Sequence, residues 1–208
     1  MGNLIASAGI VAIPLLLFSV LSLTLIGERS YFWFRVWRRQ DAVIQKALRL
    51  LQTNEDAAIK LLQKQTDLPV PRIFLEALEL QEPTPEEFRL ALESAAQSEL
   101  PTLRRFSTAL DSIVAVSPLL GLLGTVLGLM ASFSSLTLGD IGQSDAIGVT
   151  GGISEALSST VLGLVVAIVT LLFSNTFRGF YRRQTALIRE YGGRLELIYR
   201  RKHRLYHQ

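Results

Sequence analysis

Residues 146–177 read AIGVTGGISEALSSTVLGLVVAIVTLLFSNTF, a run in which Glu155 is the single ionisable residue. An α-helix rises 1.5 Å per residue, so about 20 residues cross a hydrocarbon core of about 30 Å, and this run is long enough. Burying a carboxylate within it costs at least about 2.5 kcal/mol on insertion scales. A chain that tolerates the cost uses the group to bind or move a proton or an ion. Two more stretches, residues 4–26 and 112–139, carry no charge at all. Three membrane spans are therefore expected, in an all-α protein. The first is read as a retained anchor and not a cleaved leader: no basic residue precedes it, its apolar run is too long, and Arg29, Arg35, Arg38 and Arg39 follow at once.

The layout that results places span 1 with a short outer N-terminus at residues 1–27 and a cytoplasmic helical segment at 28–111. Span 2 follows at 112–139, an outer loop at 140–145, span 3 at 146–177, and a basic cytoplasmic helical tail at 178–208. Orientation comes from the cations. Every Lys and Arg lies between Arg29 and Arg105 or from Arg178 onward. The positive-inside rule then sets the N-terminus and the loop outside, and the middle segment and C-terminus in the cytoplasm. Topology and contact with anionic lipid account for the net charge of +3, and no nucleic-acid reading is needed. Arg178, Arg182 and Arg183 fall at the lipid–cytoplasm boundary of span 3.

Composition excludes whole classes of chemistry. With no cysteine there are no disulfides, thiolate nucleophiles or thiolate-bound metals, and the two histidines, His203 and His207, both lie in the tail. A Ser–His dyad or a histidine-rich zinc site has no buried members to build from. An enzyme is not expected, nor a cofactor other than protons as coupling ion.

The soluble segment reads as helices. Apolar residues at Val43, Ile44, Ala47, Leu50, Leu51, Ala58, Leu61 and Leu62 keep a helical period, with a restart at Thr53 and Asn54. Pro69 and Pro71 are expected to end that helix and Ile73 to open a short second one. Thr84-Pro85-Glu86-Glu87 is a helix start, with a Thr cap, Pro at the first position and Glu at the third. Pro101 predicts a bend, and Pro14 a kink in span 1. Leu187, Tyr191, Leu195 and Ile198 continue span 3 as an amphipathic helix.

On a helical wheel of span 2, Ser117, Gly121, Thr125, Gly128, Ser132 and Ser135 fall within about 40° of one direction. Such a stripe lets helices approach closely, a pattern Gly124 and Gly128 also fit, or it lines a narrow polar path. Thr125 lies about midway along the span. In span 3, Gly152, Glu155, Ser159 and Gly163 form a second small and polar face, with Thr160 further round. A glutamate at the outer end of a helix can simply snorkel. Here its short side chain and small neighbours favour a cavity, where Ser159, Thr160 and Thr125 with trapped water form a relay. One chain of three helices encloses too little to shield such a path, so a homo-oligomer with Glu155 facing a shared interior is expected.

Residues 117–130, SPLLGLLGTVLGLM, and residues 152–164, GISEALSSTVLGL, resemble the second- and third-span signatures of the MotA/TolQ/ExbB proton-channel family. The likeness is strongest between about Leu100 and Arg183; the first span and soluble segment agree in layout. The resemblance implies a subunit of an inner-membrane motor driven by the proton motive force. It implies a pentameric ring around an ExbD-like single-span partner, energising a TonB-like protein for outer-membrane transport. Thr125, Glu155 and Thr160 match the family's pore-lining threonine, glutamate and threonine. In that picture an acid on the partner helix carries the proton while Glu155 and the threonines shape its surroundings; the residues alone leave Glu155 itself as carrier. Three spans argue against the MotA branch. The text of the hairpin is nearest ExbB, with a TolQ-like subunit of the envelope system, or a non-conducting scaffold, as alternatives.

Overall fold

The computed structural model describes residues 9–136 and 143–206, with the side chains of residues 135–150, Glu155 and Tyr206 outside the described set. All regular structure among the described residues is helical. A 3-10 turn, Gly9–Val11, leads into α1 (Ala12–Thr53), followed by α2 (Glu55–Gln63), α3 (Pro69–Leu78), α4 (Pro85–Leu103), α5 (Ser107–Leu136) and α6 (Gln143–Tyr206). Three helical stretches, within α1, from α4 into α5, and within α6, are long and apolar enough to cross a membrane. Two compact units divide the chain: Met1–Glu28 with Phe106–Thr176, and Arg29–Arg105 with Phe177–Gln208. The first contains the expected spans.

Prolines behave differently from expectation at two places. Pro14 lies in the first turn of α1, where an N–H has no intrahelical partner to lose, so it starts a helix and does not kink one. Pro69 and Pro71 likewise open α3 and do not close α2, which ends at Gln63. Leu68 precedes them in extended backbone and offers no capping side chain. Without a Ser, Thr, Asp or Asn cap, the sequence at this helix start carries no signature beyond the prolines themselves. The restart at Asn54 is real: its side chain accepts from the Ala57 N–H at 3.0 Å and caps α2. Pro101 lies inside α4, which runs only to Leu103. Phe106 then takes φ 64°, a left-handed conformation, as the chain passes into α5.

The second unit has a conventional apolar core. Ile44, Leu62, Val70, Ile73, Phe74, Phe88 and Leu195 are buried within one cluster. Polar pairs tie its rim: Gln40 and Gln184 exchange amide hydrogen bonds at 3.0 Å, and Arg72 meets Glu99 at 2.7 Å. Tyr199 stacks on Phe88 with ring centroids 4.0 Å apart and donates to the Pro83 carbonyl. The Tyr191 hydroxyl donates to Asp41, and burial together with that carboxylate pushes its pKa up to about 12.

A buried cation closes the unit. Arg29 is only 3% exposed and donates to the Leu103 carbonyl at 2.6 Å and, more weakly, to Thr102 at 3.5 Å. Its guanidinium lies 4.5 Å from the Phe32 ring centroid and 5.8 Å from that of Trp33. These carbonyls belong to the last turn of α4, where the helix leaves acceptors without intrahelical donors and where its dipole favours a positive charge.

At the start of α4 the full capping box forms. The Glu87 N–H reaches Thr84 Oγ1 at 3.3 Å, and the Glu87 carboxylate accepts from the Thr84 N–H at 2.8 Å. Thr84→Ala is therefore expected to lower stability by about 1 kcal/mol, read as a lower melting temperature of the purified chain. The hydrogen bonds from Thr84 hold the Glu87 carboxyl below its usual pKa. A depressed acid stabilises the fold above its unfolded pKa, so this contribution is lost as pH falls through the folded value, and the Thr84→Ala difference should shrink in acid.

Candidate functional site

The candidate site is the contact between α5 and α6 inside the first unit. Glycines set how closely the helices approach. A methyl built at Gly163 would lie 2.5 Å from the Ser117 carbonyl oxygen and 3.2 Å from the Gly121 Cα. One at Gly121 would lie 3.0 Å from both the Ser159 carbonyl and the Thr160 Cα, and one at Gly128 would lie 3.0 Å from the Gly152 carbonyl. Gly124 faces the Ser159 side chain, and Gly152 faces Ser132. All five glycines singled out in the sequence therefore lie along one seam, where backbone meets backbone as in small-residue packing of membrane helices. The register is antiparallel: Ser117 opposes Gly163, Gly121 opposes Ser159 and Thr160, and Gly128 opposes Gly152 and Ala156.

Hydroxyls in the seam find carbonyls. Ser159 is fully buried and donates toward Ala156 at 2.8 Å and Gly121 at 3.1 Å. Thr160 is half-buried and reaches the same Gly121 carbonyl at 3.1 Å. Ser117 and Ser132 bond back to Ile113 and Gly128 on their own helix. Thr125, also half-buried, bonds back to Leu122 at 2.6 Å. Ser159 thus sits in the packed seam, whereas Thr125 and Thr160 lie at its edge. Glu155 lies on α6, but its side chain is outside the described residues; Ser135, too, has its side chain outside them. The seam's register, stepped along both helices, sets the backbone of Glu155 at the level of Thr125.

Sequence reasoning missed two further polar contacts. Ser22 in α1 and Thr170 in α6 share a buried hydrogen bond at 2.6 Å. Ser174, 2% exposed, donates to Asp111 at 2.9 Å. Both pairs join helices far apart in sequence, and only a serine or threonine inside an apolar run hints at them. Arg178, Arg182 and Arg183 are exposed on α6. No cluster able to hold a metal ion occurs among the described residues.

The far sides of the helices are apolar and open. Leu119, Leu122, Met130 and Phe133 on α5, and Leu157, Val165, Ile168 and Leu172 on α6, are all exposed. Faces of this size do not stay in water, and lipid or another helix must cover them.

Comparison with known proteins places this hairpin. The sequence profile described as the MotA/TolQ/ExbB proton channel family matches residues 65–190, which include both halves of the seam. The chain belongs to this family. Among its relatives, "Putative biopolymer transport protein ExbB-like 3" of Synechocystis is 59% identical over 95% of this chain and 94% of its own length. "Putative biopolymer transport protein ExbB-like 1" of the same organism is 39% identical over 92% of this chain and 76% of its own. "Biopolymer transport protein ExbB" of Neisseria meningitidis is 31% identical over 86% of this chain and 83% of its own. Family membership makes the chain part of a multi-pass membrane complex, and the three apolar helices agree with that.

Proposed function

We propose that the chain is an ExbB-like subunit of an inner-membrane motor that converts proton flow into work on a TonB-like partner. The observation that carries this is the seam's register, which sets Glu155 level with Thr125 at mid-span and Thr160 just beyond. An acid and two hydroxyls within about one helical turn of each other in an apolar hairpin supply groups on which a proton can be held. The relatives named as ExbB support the branch.

Exposure supports the ring. A protomer with open apolar faces on both hairpin helices, and with Thr125 and Thr160 at their edge, is suited to completion by copies of itself. Five copies around an ExbD-like single-span helix bearing an acid give these groups a water-poor interior. In that arrangement the partner's acid exchanges the proton, while Glu155 with Thr125 and Thr160 sets the field it meets. The basic flank of each span orients the N-terminus outward and the tail to the cytoplasm. Proton transfer here is transport and not an enzyme's chemistry, and it uses no cofactor beyond the coupling ion.

Coexpression with the single-span partner, reconstitution in liposomes and measurement of proton flux test the proposal. Glu155→Gln is expected to abolish flux while the complex elutes at its original size. Undiminished flux in that variant overturns the proposal, and loss of the complex itself favours a scaffold role. Thr125→Ala with Thr160→Ala should also lower flux. Full activity in that pair removes the threonines from the path.

A further inference from the structure

Beyond the last apolar residues of span 1, α1 continues without a break and presents an unusual face. Tyr31, Phe34 and Trp37, spaced three apart, are 63%, 55% and 73% exposed. On the other side of the same turns Trp33, Val36 and Gln40 are buried. Arg35 lies over the Tyr31 ring at 4.7 Å and Arg38 over the Phe34 ring at 5.3 Å. Arg39, by contrast, is turned to Asp67 at 3.1 Å and Gln65 at 2.7 Å. Arg35 reaches Asp67 only at 3.7 Å. For Arg38 the Phe34 ring is the contact shown among the described residues, and a guanidinium carries five N–H donors.

We propose that this face binds the headgroup of an anionic phospholipid, with the Arg35 and Arg38 guanidinium groups on the phosphate and Tyr31, Phe34 and Trp37 packed beside the glycerol and upper acyl chain. Continuity favours a lipid as the occupant. Ile13, Leu17, Val20 and Leu23 of α1 are exposed and apolar, and Tyr31, Phe34 and Trp37 follow them in the same helix. Aromatic residues with one apolar and one wet side belong at that depth of a bilayer. Charge chooses the headgroup: of the charged residues on α1 from Glu28 to Arg39, Glu28 is the one acid; Arg29 is buried and Arg39 is held by Asp67, which leaves Arg35, at the margin of Asp67, and Arg38 for the phosphate. Arg38 rests on the Phe34 ring and Arg35 on the Tyr31 ring with Asp67 at its margin, and in the proposed complex phosphate oxygens meet the N–H groups of both. The site is independent of the proton pathway, and its test does not require transport.

The chain has two tryptophans, Trp33 and Trp37. Trp33→Phe leaves Trp37 as the sole reporter, and because the buried Trp33 Nε1 has no hydrogen-bond partner, the change removes none. The full chain is reconstituted in phosphatidylcholine vesicles containing a small fraction of brominated phosphatidylglycerol or brominated phosphatidylcholine. Each arginine at a membrane surface contributes roughly fivefold in affinity for anionic lipid, so quenching of Trp37 should show a preference for phosphatidylglycerol of roughly twenty-fivefold. Arg35→Gln with Arg38→Gln should bring the ratio to about one, and Arg39→Gln should leave it unchanged. Equal quenching by the two lipids, or a ratio that survives the double substitution, overturns the proposal. Absence of quenching by either also overturns it, because a second copy or another helix then covers the face. Native mass spectrometry of the unmodified chain released from mixed-lipid nanodiscs gives a second reading, in which equal retention of the two lipids counts against the site.

Discussion

Gly163→Val should part the α5–α6 hairpin and abolish any activity that depends on it. The methyl nearest the backbone would meet the Ser117 carbonyl at 2.5 Å and the Gly121 Cα at 3.2 Å. Neither obstacle is a side chain that can swing away, so the helices must separate or shift register. Overpacking in a closed core costs about 1–3 kcal/mol where neighbours can adjust, and this seam lies at or beyond the upper end. Separation would also break the hydrogen bonds from Ser159 and Thr160 to the Gly121 carbonyl. Size-exclusion profiles and melting temperature of the detergent-solubilised chain would report the loss, and flux after reconstitution would follow it. Gly179 supplies the control: nothing lies within 4 Å of a methyl at that position. Gly179→Ala should therefore stabilise by up to about 1 kcal/mol, through helix propensity alone. A Gly163→Val chain that melts like the parent would contradict the packing described.

Arg29→Ala is expected to have the second-largest effect. Its loss removes a charged donor from the Leu103 carbonyl, and weaker contact with Thr102, in surroundings where water does not replace it. Hydrogen bonds to charged groups contribute about 1.5–3 kcal/mol each, and the stem's packing against Phe32 and Trp33 is lost as well, so a total of about 3 kcal/mol is expected. Arg29→Lys keeps the charge but not the planar fork and should fall between the two. Thermal unfolding of the three chains, monitored by circular dichroism, checks the order. Equal melting temperatures for parent and Arg29→Ala would show that the buried guanidinium is replaceable by solvent.

How much of this was legible beforehand depends on whether a feature is local. Spans, the Asn54 restart and the Thr84 capping box are written in neighbouring residues, and all were read from the sequence. Pro69 and Pro71 were misread because proline closes one helix and opens the next with equal ease, and Leu68 supplies no cap to decide between them. Pro14 was misread for a related reason, since its meaning depends on where the helix begins. The small-residue stripe on span 2 was visible as a direction on a wheel. Its register against span 3 was not, because pairing of Gly121 with Ser159 or of Gly163 with Ser117 is set by two helices docking. Arg29 was read only as a marker of topology. Nothing nearby in sequence reveals that its acceptors lie at residues 102 and 103.

That distance has a consequence for biogenesis. Span 1 and its arginines leave the ribosome first, and the Leu103 carbonyl that receives Arg29 comes 74 residues later. During that interval the guanidinium has no Leu103 carbonyl to meet and keeps its water. Only after the last turn of α4 has been synthesised and folded can it give up its water. A single side chain therefore ties the start of the unit to a turn made 74 residues later, and a chain truncated before Leu103 would lack the acceptor that holds it.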